Sequence, residues 1–513
     1  MPIYSRITLY AISGLLAFGL SGLFLSADLL PFNQVRIVEL LLLACLTLTC
    51  IITLPGISAS TAPPSINSKE QKTILIVGLL AVTAAIRSTY IWPAMQDLAH
   101  DYLLICSIFV MSFYVSLDTP RTVKILIFGL AIGISIALAR FLIQLGLTLS
   151  MGVVTPLLEW WSPYSNPRFI AQALIWIIPT FSVLPSLENF YSKRALYAAQ
   201  ALSISLWLLL FWTGSRGEIL GLILGMILVC TLMRSSAISL IGRMMAHALC
   251  GFAIWFLSHI SIARYAVSND ELSLARVGMS GREWLVELSL KLISEHPWFG
   301  IGSAQFSAYN QNIIGSAHPH NLLLQIAVEW GLPAAVLLLH LLAMFVLRQY
   351  RSAKIAVLSF DTASTQHHTL KIPLLLTLFA VLFTSLIDGI HVMPLSQLIG
   401  IPMLGLMIGL NRGPNIIPTE SYIFQGRLIV LLIILCWGIL LASLLQQRDC
   451  LTYPTRAEKI LKAVVGNDFP RFWAQGRIPI DEGCLEAGRY QNHADTLTHR
   501  SVDASTTTEQ YWR

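Results

Sequence analysis

The sequence has few charged residues for its length. Of 513 residues only 12% are charged, whereas 55% are hydrophobic and the mean hydropathy is +0.70. Soluble proteins carry roughly a quarter charged residues, so this composition excludes a soluble globular enzyme. Apolar runs of about 18 residues or more are typical of membrane-spanning helices, because a helix satisfies its own backbone amides in lipid. The sequence therefore predicts an all-α polytopic membrane protein.

Several common site signatures are also missing. The net charge of +6 is small and dispersed, with no basic tail, which argues against nucleic acid as a partner. The 8 cysteines form no Cys-x-x-Cys pair and no Asp-x-Asp pair occurs, so neither a metal site nor a cofactor is predicted. Most of the cysteines lie in apolar runs, but Cys450 and Cys484 lie in the polar C-terminal segment. They are candidates for one disulfide if that segment faces an oxidising compartment.

Hydropathy predicts about 12 to 13 membrane spans. With the N-terminus in the cytoplasm, every inner loop contains Lys or Arg, as the positive-inside rule requires. Helices 1–9 then occupy residues 1–262 and helices 10–13 residues 333–446, with a helical periplasmic loop at 263–332 and a periplasmic tail at 447–513. One span fewer would place the tail inside. The predicted spans are roughly 7–27, 37–55, 73–91, 98–117, 123–146, 169–187, 195–212, 217–233, 244–262, 333–347, 372–388, 395–410 and 427–446.

Several arginines break this orientation rule because they lie at the predicted outer face. A guanidinium holds phosphate through two parallel hydrogen bonds and keeps its charge, so a cluster of arginines would suit a lipid-linked pyrophosphate at the membrane surface. The alternative is that some of them extend to lipid head groups. These residues are Arg87, Arg140, Arg168, Arg216 and Arg282.

Two of these arginines have a sequence context typical of anion binding. Arg216 lies in T-G-S-R-G-E at 213–218, just before an apolar helix whose first backbone amides could contact the same anion. Arg282 lies in a Ser-x-x-Glu capping box at 280–283, which predicts the start of an amphipathic helix that ends near Glu295. Its apolar stripe would contain Trp284, Leu288 and Leu292.

A histidine motif follows in the same loop. The sequence A-H-P-H-N at 317–321 precedes an apolar run that ends at Gly331. Pro319 suits the first turn of a helix, and Gly331 followed by Pro333 suits its end. His320 is then expected in the first helical turn, where the helix dipole keeps a neutral ring nitrogen available as a base. The alternative is a histidine that only caps the helix or contacts head groups.

Several short motifs, in this order, resemble the O-antigen ligase family of membrane glycosyltransferases. They are G-S-R-G at 214–217, S-G-R at 280–282, H-P-x-x-G-x-G at 296–302 and H-P-H-N at 318–321, with N-P-R-F at 166–169 before them. The resemblance covers about residues 160–410 in motif. It implies a GT-C-type fold in the bacterial inner membrane and a metal-independent enzyme that transfers a glycan from undecaprenyl pyrophosphate, with inversion at the anomeric carbon and an active site facing the periplasm.

The resemblance also implies roles for individual residues. His320 would activate or orient the acceptor hydroxyl, while Arg216 and Arg282 would neutralise the departing pyrophosphate. Further contacts to pyrophosphate or acceptor are expected from Arg168, Arg140, Arg87, His318 and Asn321. Near the same face, supporting roles are expected for Glu218, Glu329, Asp388 and His391. The implied partners are the undecaprenyl-pyrophosphate-linked glycan, its acceptor and membrane lipids.

The resemblance leaves the acceptor open. Members of the family join O-antigen to lipid A core, glycosylate periplasmic proteins such as pilin, or polymerise polysaccharide. The thirteenth span and the tail at 447–513 favour Ser or Thr of a protein such as pilin, with lipid A core as the alternative and polymerisation as the third hypothesis. A transporter of a lipid-linked substrate is a different class. It is disfavoured because transporters usually place ionisable groups near mid-membrane, whereas here they gather at one face.

Overall fold

The structure of the chain, a computed structural model, is helical over the residues that it describes. These residues are 3–23, 25, 31–53, 68–151, 162–184, 192–263, 282–310, 317–358, 369–411 and 421–447. The helices are α1 (Ile3–Ser21), α2 (Pro31–Thr53), α3 (Ser68–Arg87), α4 (Ile91–Leu117), α5 (Thr119–Met151), α6 (Pro167–Val183), α7 (Lys193–Trp212), α8 (Arg216–Met233), α9 (Ser235–Ala263), α10 (Arg282–Glu295), α11 (Phe306–Tyr309), α12 (Leu322–Trp330), α13 (Leu332–Leu358), α14 (Lys371–Ser385), α15 (Pro394–Gly409) and α16 (Ser421–Gln447).

Each predicted span overlaps one of these helices, although the bounds differ by several residues at some ends. Of the described helices, 8 are long and apolar enough to cross a membrane, namely α2, α4, α5, α7, α8, α9, α13 and α16. Shorter apolar helices occur at α1, α6, α14 and α15, and α3 begins with the charged residues Lys69, Glu70 and Lys72. The predicted fold class, an all-α polytopic membrane protein, is confirmed. Cys450, Cys484 and the predicted tail from 448 onward lie outside the described residues.

Pairs of glycines four residues apart bring the helices into close contact. A Cβ at Gly129 or Gly133 of α5 would meet the backbone of Ser13 or Ala17 of α1. Small residues at this spacing let membrane helices pack backbone to backbone, which matters because lipid gives helices little hydrophobic drive to associate. Two further pairs behave alike: Gly221 and Gly225 of α8 against α14, and Gly405 and Gly409 of α15 against α4.

The close contact between α8 and α14 places the start of α8 beside the end of α14, at one end of the bundle. Gly221, in the second turn of α8, faces Thr384 at the end of α14, so the start of one helix lies beside the end of the other. Across the bundle, Trp176 Nε1 of α6 donates to Ser396 Oγ, in the first turn of α15, at 2.9 Å. We call the end where α8 begins and α14 ends the site end. At the opposite end of α14, Lys371 Nζ contacts Ser352 Oγ at 2.9 Å.

Residues 282–310 and 317–331 form a small helical layer at the site end. The predicted amphipathic helix is present as α10 and ends at Glu295 as expected, while Ser280 and Gly281 lie outside the described residues. The predicted apolar stripe is wrong in one member, because Trp284 is 41% exposed and Leu285 is buried in its place. The reason is that α10 packs against α12 through the face that contains Leu285, Ser289 and Leu292, which is rotated by about one residue from the predicted stripe. The buried apolar cluster of the layer is Leu285, Leu292, Ile301, Phe306 and Val328.

Candidate functional site

Asp388 is the centre of a polar site at the site end. It lies in the turn between α14 and α15 and is 5% exposed. Its Oδ1 is 3.1 Å from His320 Nδ1 and accepts the backbone N–H of Gly389 at 2.7 Å. Its Oδ2 is 3.9 Å from Arg282 Nη2. The turn after α14 therefore brings together a carboxyl group, a histidine and an arginine that are far apart in sequence.

Electrostatics keeps Asp388 ionised. Burial by itself would raise the pKa of this carboxyl, but the hydrogen bond and charge of His320, the Gly389 amide and the charge of Arg168 outweigh it and lower the pKa to about 2. A carboxylate only accepts hydrogen bonds, so His320 Nδ1 must carry the hydrogen. In the neutral ring Nε2 is then an acceptor. The His320 side chain is 21% exposed, so the ring is partly open to the outside.

Glu218 is a second buried carboxyl group in the site. It is the third residue of α8 and is 1% exposed. It is buried close enough to Asp388, Arg168 and Arg282 for their charges to act on it. Its Oε1 has no hydrogen-bond partner among the described residues. Two carboxyl groups and two guanidinium groups thus share one small region, which favours a ligand that can pair with the arginines.

Three of the predicted arginines lie around these carboxyl groups or at the adjacent helix start. Arg282 is half-exposed at the start of α10, and Arg168 is exposed in the first turn of α6, where its N–H donates to Asn166 Oδ1 at 2.9 Å. Arg216 is the exposed first residue of α8, two residues before Glu218. Helix starts present backbone amides to anions, so three guanidinium groups at three helix starts favour a negatively charged ligand here.

The other two predicted arginines are engaged elsewhere. Arg140 Nη1 donates to the backbone carbonyls of Ser21 at 3.1 Å and Gly22 at 2.8 Å, which end α1. Arg87, the last residue of α3, places its guanidinium 5.5 Å from the ring centroid of Phe299. Both arginines satisfy local partners in this structure, and their predicted contacts to a ligand stay predictions.

The expectation that His320 lies in the first turn of a helix is wrong. Helix α12 begins at Leu322, and Asn321 is its N-cap, with Oδ1 accepting the N–H of Leu324 at 3.0 Å. Asparagine is a preferred N-cap residue, so the helix starts after it and Pro319 lies ahead of the helix. His320 has φ +55, a left-handed conformation that is uncommon for a residue with a side chain. Asp388, not the helix dipole, sets its tautomer.

Two neighbouring residues hold His320 in this conformation. Asn321 Nδ2 donates to the carbonyl of Leu386 at 2.8 Å, which ties the α12 start to the turn after α14. The buried ring of His318 lies 4.3 Å from the ring of His320, centroid to centroid. His318 Nε2 occupies the space where a Cβ of residue 389 would be, so only glycine fits there. His318 and Asn321, predicted as ligand contacts, here support the backbone of the site.

The H-P-x-x-G-x-G motif at 296–302 supports α12 from its other end. The N–H groups of Ile301 and Gly302 donate to the carbonyls of Val328 and Glu329, each at 2.9 Å. Gly300 has φ +64, and a Cβ there would meet the backbone of Val328. The predicted end of the helix at Gly331 is confirmed. The motif therefore fixes the helix that follows His320, and its glycines are needed for close backbone contact.

Sequence reasoning missed a group of buried polar residues next to the site. Arg36, Glu39 and His100 are almost fully buried in α2 and α4. The predicted second span began at residue 37, which left Arg36 in a loop, whereas α2 begins at Pro31. The sequence did contain a signal for this group. Arg36 and Glu39 are three residues apart, so they can form an ion pair on one face of a membrane helix, and the helix could have been predicted to include both.

Fold and site together define a class: an all-α polytopic membrane protein with a histidine–carboxylate pair and arginines at one end of its helix bundle. Residues 201–339 match the family model for O-antigen ligase. The match agrees with the resemblance found in the sequence, and the O-antigen ligase family is a glycosyltransferase-like class of enzymes. The matched residues include Arg216, Arg282 and His320, while Arg168 and Asp388 lie outside them. No curated protein matches the chain.

Proposed function

We propose that this protein transfers a glycan from undecaprenyl pyrophosphate to a hydroxyl group of a periplasmic acceptor. The observation that carries the proposal is the distance of 3.1 Å between His320 Nδ1 and Asp388 Oδ1. Arg282, at the start of α10, lies next to this pair. Among the basic residues counted by the positive-inside rule, Lys193 at the start of α7 and Arg234 after the end of α8 lie at helix ends away from the site. This supports a site that faces the periplasm from the inner membrane.

On the acceptor side, His320 acts as the base. Its Nδ1–H donates to Asp388, so Nε2 takes the proton of the acceptor hydroxyl as the hydroxyl oxygen bonds to the anomeric carbon. The resulting imidazolium is stabilised by the ionised carboxylate of Asp388. Attack from the face opposite the leaving group inverts the anomeric carbon. The proton then passes from His320 to solvent, which the partial exposure of the ring allows.

On the donor side, the arginines stabilise the leaving group. The bond between the anomeric carbon and the pyrophosphate oxygen breaks, and the oxygen keeps the electron pair. A pyrophosphate leaving group needs neutralisation of charge more than it needs a proton, so Arg282, Arg216 and Arg168 suffice and no metal ion is required.

Two acceptors have support. The predicted tail at 447–513 favours a protein such as pilin, modified at Ser or Thr. The description of the matched family, O-antigen ligase, favours lipid A core. Deleting the gene in its host and comparing the masses of pilin and lipopolysaccharide separates them. Loss of glycan from pilin alone indicates the protein acceptor, and loss of O-antigen from lipid A core alone indicates the ligase.

The test of the transfer itself is a reconstituted assay with a lipid-linked oligosaccharide and purified acceptor. We expect His320→Ala to abolish transfer, since it removes the ring whose Nδ1 lies 3.1 Å from Asp388 Oδ1. The matched control is His340→Ala, which removes an exposed histidine of α13. Full transfer by His320→Ala, with loss of substrate crossing in cells that lack the protein, would instead indicate a transporter.

A further inference from the structure

A cluster of buried charges lies beside the turn that carries Asp388. Arg36 of α2 is 2% exposed, and its Nη1 donates to Glu39 Oε2 at 2.6 Å. His100 Nε2 of α4 lies 3.0 Å from Glu39 Oε1 and 3.1 Å from Arg36 Nη1. Ionisable groups within a membrane helix are costly to bury, so a cluster of this kind indicates a function.

The Arg36 guanidinium contacts the 388–393 turn as well as its own cluster. Its Nη2 donates to the carbonyl of Val392 at 3.1 Å, and Nη1 donates to Gln397 Oε1 at 2.7 Å. Gln397 Nε2 in turn donates to the carbonyl of His391 at 2.8 Å. Two successive carbonyls of the turn are thus held by one arginine, directly and through one glutamine. Carbonyls between helices have no intrahelical donor, so the turn depends on such side chains.

The same turn is linked to the helix that follows His320. His391 Nε2 lies 2.8 Å from Oε1 of Gln325, one turn into α12. Phe32 of α2 packs with Val392 and Met393 in a separate buried cluster, one turn before Arg36. Both partners of the His320–Asp388 pair are therefore fixed to α2: Asp388 through the turn, and His320 through α12 and Gln325.

We propose that Arg36 and Gln397 are positioning residues, which hold the 388–393 turn so that Asp388 stays within hydrogen-bond distance of His320. This inference rests on the proposed function, because the positioning matters for transfer. Arg36 touches no reacting atom, and the fork of its guanidinium is what allows it to bind Glu39, Gln397 and Val392 together. A lysine would keep the charge but contact fewer of these partners.

The experiment uses the full-length protein in nanodiscs. Gln397→Leu removes both bonds of the glutamine and leaves Arg36 paired with Glu39, so the membrane fold is kept. Gln397→Glu keeps an acceptor for Arg36 and loses the donor to His391. The matched control is Gln349→Leu, which removes a buried glutamine whose Oε1 accepts from Asn411 Nδ2 at 2.8 Å, away from the site. Hydrogen exchange over residues 387–393 and transfer kinetics are measured for each variant, alone and with Asp388→Asn.

We expect Gln397→Leu to speed exchange at 387–393 roughly tenfold and to lower kcat roughly tenfold, with KM for the donor within about twofold of wild type. Gln397→Glu should fall between Gln397→Leu and wild type. Combined with Asp388→Asn, Gln397→Leu should lower kcat less than about twofold further, because Asp388 is then already disabled.

Two results would overturn the inference: unchanged exchange at 387–393, or the same fold-loss in kcat with and without Asp388→Asn. The second result would indicate a general effect on folding. If the wild-type protein transferred no glycan, that result would contradict the proposed function and not the positioning role of Gln397. The exchange result would still decide whether Gln397 holds the turn.

Discussion

His320 and Asp388 are 68 residues apart in the chain, and their side chains meet at 3.1 Å. In the sequence, His320 lies just before α12 and Asp388 lies just after α14, so α12, α13 and α14 separate them. The pairing requires both the left-handed backbone at His320 and the glycine at 389, which makes room for His318. This geometry leads to the following predictions.

The first prediction concerns the carboxylate. Asp388→Asn should lower kcat by roughly a hundredfold or more, because the neutral amide cannot stabilise the imidazolium of His320 and can favour the wrong tautomer. Steady-state kinetics in the reconstituted assay measure the effect. Asp118→Asn is the control, since Asp118 accepts the N–H of Arg121 at the start of α5, away from the site. A loss below about threefold would contradict the role of Asp388.

The second prediction concerns pH and stability. The pKa of Asp388 is lowered from an ordinary 3.8 to about 2, so its ionised form stabilises the folded state fully above pH 3.8 and loses this effect as pH falls towards 2. The difference in Tm between wild type and Asp388→Asn should change as pH falls from about 4 towards 2. Thermal unfolding in nanodiscs measures it. A difference that stays the same from about pH 4 to 2 would contradict the lowered pKa of Asp388.

The third prediction concerns the leaving group. Arg216→Ala and Arg282→Ala should each reduce transfer below detection with normal amounts of protein in the membrane, while the lysine variants should recover only part of the rate, because a point charge cannot hold phosphate bidentately. The control is Arg348→Ala, which breaks the exposed pair of Arg348 and Glu70 at 2.7 Å. Full transfer by both alanine variants would remove the arginines from the mechanism.

The fourth prediction concerns Gly389. Gly389→Ala should displace His318 and lower the free energy of unfolding by about 1–3 kcal/mol, as is typical of an overpacked site. Transfer should fall too, because the Gly389 N–H that holds Asp388 moves. The matched control is Gly242→Ala in α9, where a Cβ meets nothing within 4 Å. If both variants behaved alike in thermal unfolding, the close contact between His318 and residue 389 would have no energetic effect.

The fifth prediction concerns metal ions. Since the proposed chemistry uses arginines to neutralise the leaving group, EDTA should leave the transfer rate within about twofold of the untreated enzyme. The rate is measured after dialysis against the chelator, and again after Mg²⁺ or Mn²⁺ is restored. A rate that is lost with EDTA and recovered with either ion would show that a metal takes part.

Much of the architecture could be predicted from the sequence alone. Long apolar runs have only one stable conformation in lipid, so span positions follow from hydropathy. Arg216, Arg282 and His320 could be identified because their motifs are local and continuous in the chain. The helix from Arg282 to Glu295 and the helix end at Gly331 also follow from capping and glycine rules that involve only neighbouring residues.

The tertiary structure decided which of these residues meet. The partner of His320 could not be chosen from sequence, because Asp388 was one of several polar residues near the same face. The role of Arg36 could not be predicted, because its partners are more than 350 residues away. Val392 lies in the turn before α15, and Gln397 lies in the first turn of α15. Arg140 and Arg87 shared with Arg282 only a position at the predicted outer face, and they contact other partners. Contacts in three dimensions, not position at a membrane face, determine what a guanidinium pairs with.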